Sequence, residues 1–129
     1  MSWGGVVLGV LIVGYDAELT ALTGKILERS GYDTTCCLSD ISKILSFIES
    51  KSIKLVIAEL ESDENERIKF CKTIKSVNNP PKLILIGQSS EEEIQMLNAG
   101  ADDFIKKPYK TAVFLARISA LMRQCKSVL

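Results

Sequence analysis

A single carboxylate stands where chemistry is expected. Leu55-Val56-Ile57-Ala58-Glu59 is a continuous apolar run closed by a glutamate, with Lys54 before it and an acidic stretch from Glu61 to Glu66 after it. A run of this length bounded by charge suits a parallel strand covered by helices on both faces. In open parallel sheets the functional crevice lies beyond the carboxyl ends of the strands, so Glu59 is delivered to its mouth. What the chain lacks narrows the chemistry further. None of the 129 residues is a histidine, which removes the commonest general base, the usual metal ligand and any phosphohistidine relay.

The cysteines add no site. Cys36, Cys37, Cys71 and Cys125 form no C-x-x-C pair, and neighbours in a strand such as Cys36 and Cys37 point to opposite faces. They read as buried, reduced thiols of a cytoplasmic protein. Charge is balanced, with 16 basic and 16 acidic residues, so neither nucleic acid nor an anionic membrane is implied as a partner. The apolar segment from Trp3 to Tyr15 is shorter than the ~20 residues that span a bilayer, and it lacks the basic start of a signal peptide.

The elements that must position Glu59 follow from period and punctuation. Residues 1–5 read as a flexible leader, 6–126 as one domain, and 127–129 as a tail or the start of a linker. Val6 to Val13 is predicted as strand β1. Asp16 caps helix α1, whose apolar positions are Leu19, Leu22, Ile26 and Leu27, and Gly31 stops it. Tyr32 to Cys37 is β2. Ser39 or Asp40 caps α2, with Ile41, Ile44, Leu45 and Ile48 on one face. Ile53 to Glu59 is β3, and α3 spans Glu64 to Val77 before the Asn78-Asn79-Pro80-Pro81 breaker. Leu83 to Ile86 is β4. Helix α4 is capped by Ser89 or Ser90 and ends at Asn98-Ala99-Gly100, Asp103 to Lys106 is β5, and α5 spans Lys110 to Lys126. Five strand–helix units with short connections predict an α/β, flavodoxin-like (βα)5 three-layer sandwich around a parallel five-stranded sheet of order 2-1-3-4-5.

Fold alone does not choose a function. The loop Gly14-Tyr15-Asp16-Ala17-Glu18 is too acidic and too poor in hydroxyls to cradle a flavin phosphate. Neither a G-x-G-x-x-G fingerprint nor a P-loop is present, and no base accompanies a serine or cysteine nucleophile.

One segment is more specific: Ala99-Gly100-Ala101-Asp102-Asp103-Phe104-Ile105-Lys106-Lys107-Pro108-Tyr109. It resembles the β5 signature of the response-regulator receiver (CheY-like) family, in which A-G-A-D-D-aromatic leads to K-P-aromatic. The opening stretch VLIVGYDAELTALTGKILERSGY is similar to that family's start, and the resemblance covers Val6 to about Arg123. The positions of the family's metal-binding acidic pair fall on Gly14 and Tyr15, with Asp16 next, where it reads as a helix cap rather than a metal ligand. The family's phosphoacceptor position falls on Glu59, its β4 hydroxyl position on Ile86 or a neighbour, Leu85 or Gly87, its aromatic switch on Phe104, and its crevice lysine on Lys107, joined to Pro108 by a cis peptide. Where the family has a proline four residues past the acceptor this chain has Asp63, and where it has a glycine eight past it has Arg67.

Those departures imply a degenerate receiver. Glycine and a phenol make a poor Mg²⁺ site, glutamate's extra methylene displaces the attacking oxygen, and isoleucine has no hydroxyl to move. Glu59 is then expected to pair with Lys107. The implied function is a non-enzymatic, phosphorylation-independent signalling and protein-interaction module with no metal or cofactor, working with a protein partner or a fused output domain. Asp102, Asp103 and Arg117 mark the family's α4–β5–α5 homodimer face, although its usual α5 glutamate falls on Val113. One alternative is a receiver still phosphorylated in a two-component phosphorelay at an atypical carboxylate, Asp16 or Asp63. Another is a flavodoxin-like domain that binds a small ligand beside Tyr15 and the acidic loop.

Overall fold

Three runs of β-branched and aliphatic residues form the middle of the sheet because both of their faces are covered. In the computed structural model, which describes residues 2–3, 6–7 and 9–125, these runs are β1 (Gly9–Gly14), β3 (Ile53–Glu59) and β4 (Lys82–Gly87). The edges are β2 (Asp33–Leu38) and β5 (Asp103–Lys106). All neighbours are parallel in the order β2-β1-β3-β4-β5, the flavodoxin-like 2-1-3-4-5 arrangement.

Helices α1 (Ala17–Arg29) and α5 (Thr111–Cys125) cover one face, where Leu27, Phe114, Ile118 and Met122 pack on Val10, Ile12, Ile57 and Ile84. On the other face lie α2 (Ile41–Ser50), α3 (Glu64–Lys75) and α4 (Ser90–Asn98). There Ile44, Phe70, Ile74 and Met96 meet Leu11, Val13, Val56 and Leu85. Alternation along each strand assigns its side chains to the two cores in turn. Cys36 and Cys37 obey it: the Cys36 thiol approaches the Thr20 carbonyl on the α1 side, and Cys37 packs toward α2. Only Cys71 is fully buried, its thiol pushed up to about 11 by burial, whereas Cys36 is exposed, contrary to the expectation of uniformly buried thiols.

The structure corrects several boundaries. Val6–Val7 does not extend β1 but forms an antiparallel ladder with Ser2–Trp3, so part of the expected leader is paired. The physical reason is that β2 begins at Asp33, opposite Gly9, leaving earlier residues no parallel neighbour. The expected tail, 127–129, lies outside the described residues. Strand β2 starts one residue late because the Tyr32 N–H is bonded to the Leu27 carbonyl, closing the α1 terminus around Gly31 at φ 93°. Helix α3 stops at Lys75 rather than Val77.

The α1 stripe is also rotated from the one expected. Its buried residues are Thr20, Gly24 and Leu27, while Leu19 and Leu22 are 51% and 56% exposed. Gly24 is responsible, since a Cβ there would stand 2.8 Å from the Cys36 sulfur. The missing side chain lets α1 settle on β2 along the glycine side and turns the leucines outward.

Leu11→Ala is expected to cost about 2–5 kcal/mol, because it empties a fully buried site. Leu22→Ala is expected to cost less than about 0.5 kcal/mol. Urea denaturation of both variants would check the pair, and equal losses would contradict the rotation of α1.

Candidate functional site

The ends of β1, β3 and β5 build a crevice, and the register decides what faces what. Glu59 is the last residue of β3 and stands opposite Ile86 of β4. Lys107 follows β5, its N–H held by the Gly87 carbonyl at 2.8 Å. The structure brings Glu59 and Lys107 together: the Lys107 ammonium donates to Glu59 Oε2, and both side chains are about one-quarter to one-third exposed. The hydrogen bond to Glu59 raises the Lys107 pKa above its ordinary 10.5, outweighing the opposing effect of burial. Tyr109 stacks near Phe114 with ring centroids 5.2 Å apart, and its own pKa is raised by burial and then by the Glu59 charge. The Lys107–Pro108 peptide is cis.

The last residue of β1 and the residue after it, Gly14 and Tyr15, present no carboxylate to Glu59. Gly14 has no side chain, and Tyr15 is 44% exposed. Asp16 is committed to capping α1, with Oδ1 accepting from the N–H groups of Glu18 and Leu19 at 2.9 and 3.2 Å. Thr20, one turn into α1, was not singled out from the sequence. Its hydroxyl donates to the Asp16 carbonyl at 2.7 Å and blocks the position a Cβ on Gly14 would take. The cavity lined by Gly14, Tyr15, Asp16, Thr20 and Glu59 has a volume of about 30 Å³, the share of one water. Among the described residues no group of three or more His, Cys, Asp or Glu side chains is placed to hold a metal ion. A hard dication wants several oxygens, usually with more than one carboxylate, so this donor set does not fit Mg²⁺.

The loops beside the crevice are cross-linked. Phe104 is buried at 3% exposure against Gly87, where an added Cβ would stand 2.6 Å from the ring. Arg67 of α3 donates to the Ser62 carbonyl, and its Nε lies 3.9 Å from Glu92 of α4. Glu92 also faces the Gln88 N–H and the Ser89 hydroxyl. At the far edge, Asp102 turns inward: it accepts from the Leu83 N–H and from Lys75, each at 2.8 Å. Asp103 pairs with Arg117 of the same chain at 3.1 Å. The three polar residues read as a dimer face are thus engaged within the chain.

A doubly wound sheet with a lysine–proline corner beside an acidic residue at the end of β3 defines the class of receiver-like signalling domains. The response regulator receiver domain profile matches residues 10–119, and the chain belongs to that family. The chain is 30% identical over 119 residues to a CpxR homolog of Haemophilus influenzae, described as a transcriptional regulatory protein, covering 92% of this chain and 52% of the relative. It spans about half the length of the curated relatives it matches. A two-component response regulator of Clostridium difficile superposes with a TM-score of 0.80 at 20% identity, over 93% of this chain and 99% of that one. A CheY-like receiver domain protein of Methanospirillum hungatei gives 0.72 at 26%, over 95% and 99%.

Lys107→Met is expected to cost about 1 kcal/mol at neutral pH, the discounted value for a partly exposed pair. The folded-state pKa of Lys107 is raised, so its contribution is complete below the ordinary value of 10.5 and is lost as pH rises through the higher folded value. Thermal unfolding of both proteins between about pH 7 and 11.5 should therefore show curves that converge only at the alkaline end. Convergence near neutrality would contradict the pairing.

Proposed function

We propose that this receiver domain works without Mg²⁺-dependent phosphorylation, as a protein-interaction module within two-component signalling. The observation that carries the reading is the crevice itself. Its lysine is already paired with Glu59, and the place of a Cβ on residue 14 is taken by the Thr20 hydroxyl. Phosphoryl transfer depends on metal neutralisation and accurate placement of the attacking oxygen, and neither requirement is met by these residues. Ile86 offers no hydroxyl to follow a phosphoryl group, while Phe104 is packed inward without one.

Both carboxylates that could serve as substitutes have one oxygen engaged in a helix cap. Asp16 caps α1, and Asp63 caps α3 by accepting from the Glu66 N–H at 2.8 Å. A water-sized cavity beside Tyr15 likewise gives little room for a small organic ligand. The reading places the protein in the cytoplasm, where two-component partners act, and no helix among the described residues is long and apolar enough to cross a membrane. A homodimer through α4, β5 and α5 would rest on exposed Ile94, Leu97 and Val113 rather than on ion pairs.

Incubation with acetyl phosphate and Mg²⁺ is expected to leave the intact mass unchanged. A gain of one phosphoryl group would sink the reading, and its loss on Asp16→Asn or Asp63→Asn would identify the acceptor. The variant Gly14→Asp, Tyr15→Asp, Glu59→Asp should bind Mg²⁺ weakly while Thr20 is present. Adding Thr20→Ala should tighten binding several-fold by calorimetry, because it clears the space beside residue 14.

A further inference from the structure

The rotation of α1 on Gly24 leaves a patterned stripe on its outer side. Tyr15, Leu19 and Leu22 are 44%, 51% and 56% exposed, and Ile26 is partly exposed. Positions 15, 19, 22 and 26 are spaced four, three and four residues apart, the seam along which two helices interlock. This seam lies roughly 140° around the helix from the buried Thr20, Gly24 and Leu27. A surface helix needs one apolar stripe to meet its own core, and α1 carries a second.

The charges beside the seam select its occupant. Glu18 and Lys25 flank it on the solvent side, both exposed and neither in an ion pair among the described residues. They stand one heptad apart, at equivalent positions along the seam. Two copies of α1 laid antiparallel, with Leu19 against Leu22 of the second copy, bring Tyr15 to Ile26 and Glu18 to Lys25. Each of these contacts then recurs about the two-fold axis. A shift of one heptad along the same seam sets Lys25 against its own copy. Parallel pairing sets Glu18 and Lys25 against Thr23 and Ser30, with no opposite charge. A foreign helix would have to supply a base and an acid in one order, and α1 already carries them in that order.

We infer that α1 pairs antiparallel with α1 of a second copy of this chain, along Tyr15, Leu19, Leu22 and Ile26, with Glu18 and Lys25 bridging reciprocally. The contact is short, so the dimer is weak and forms at high concentration. It is separate from α4, β5 and α5 and leaves Ile94, Leu97 and Val113 exposed. Tyr15 and Leu19 also line the cavity beside Glu59, so pairing covers that side of the crevice. No step of it involves phosphorylation, and a mass gain with acetyl phosphate would leave it standing.

Analytical ultracentrifugation of the full chain from about 10 to about 500 µM is the test, and the sedimentation coefficient is expected to rise across that range. Lys25→Glu places like charges opposite each other twice and should weaken self-association about tenfold. Glu18→Lys should do the same from the other side. Mixing these two variants restores both opposite-charge pairs, so the mixture should associate where each variant alone does not. The mixture carries its own control, since only two folded variants can restore the pair. Leu22→Ala should also weaken the dimer while far-UV circular dichroism is unchanged. A monomer throughout the range, unaltered association of Lys25→Glu, or a mixture that stays monomeric would each overturn the inference. So would association that is abolished by Leu97→Asp but kept by Leu22→Ala, which would move the interface to α4.

Discussion

A strand buried on both faces has no room for polar side chains except at its ends. Val10 to Val13, Leu55 to Ala58 and Leu83 to Leu85 are all at or near zero exposure, so the polar side chains of the central strands collect at their ends. Glu59 and Lys107 meet there because parallel strands finish at one edge and β5 stops level with β4, Gly87 facing Lys106. The ion pair is a consequence of that convergence. The Lys107 ammonium, partly exposed at the crevice, finds its counter-charge in Glu59, which reaches it past the end of β4.

The same edge shows how local capping competes with site chemistry. Asp16 and Asp63 sit in the loops where an acidic residue could serve a cation, but each is turned back onto the N–H groups of its own helix. Thr20 extends the effect by bonding the Asp16 carbonyl and taking the volume beside Gly14. The loop after β1 is therefore stabilised by its own cap and by the Thr20 hydroxyl.

Beyond the crevice, the loops also contact each other. Arg67 links the β3–α3 loop to Glu92 of α4, and Glu92 stands over Gly87, against which Phe104 packs. Asp102 ties β4 to α3 through Leu83 and Lys75. Exposed apolar side chains nevertheless remain on several elements, among them Leu19 and Leu22 on α1, Leu38 and Ile41 between β2 and α2, Ile94 and Leu97 on α4, and Val113 on α5.

Most of this protein was legible in one dimension. The β3 run, the cap at Asp16, the α2 cap narrowed to Ser39 or Asp40, the Gly31 stop, β5 and the strand order all follow from apolar period, capping chemistry and the handedness of crossovers, which act over short distances along the chain. The candidate positions Gly14, Glu59, Ile86 and Lys107 were legible through family resemblance, because their spacing is tied to strand ends. What the sequence could not reveal is set by contacts between distant segments. Gly24 against Cys36 rotates α1 and exposes Leu19 and Leu22, Thr20 occupies the Gly14 site, and Asp102 turns inward while Asp103 takes Arg117. Side-chain direction and free volume depend on how closely two elements approach, and that distance exists only once the sheet and helices have packed.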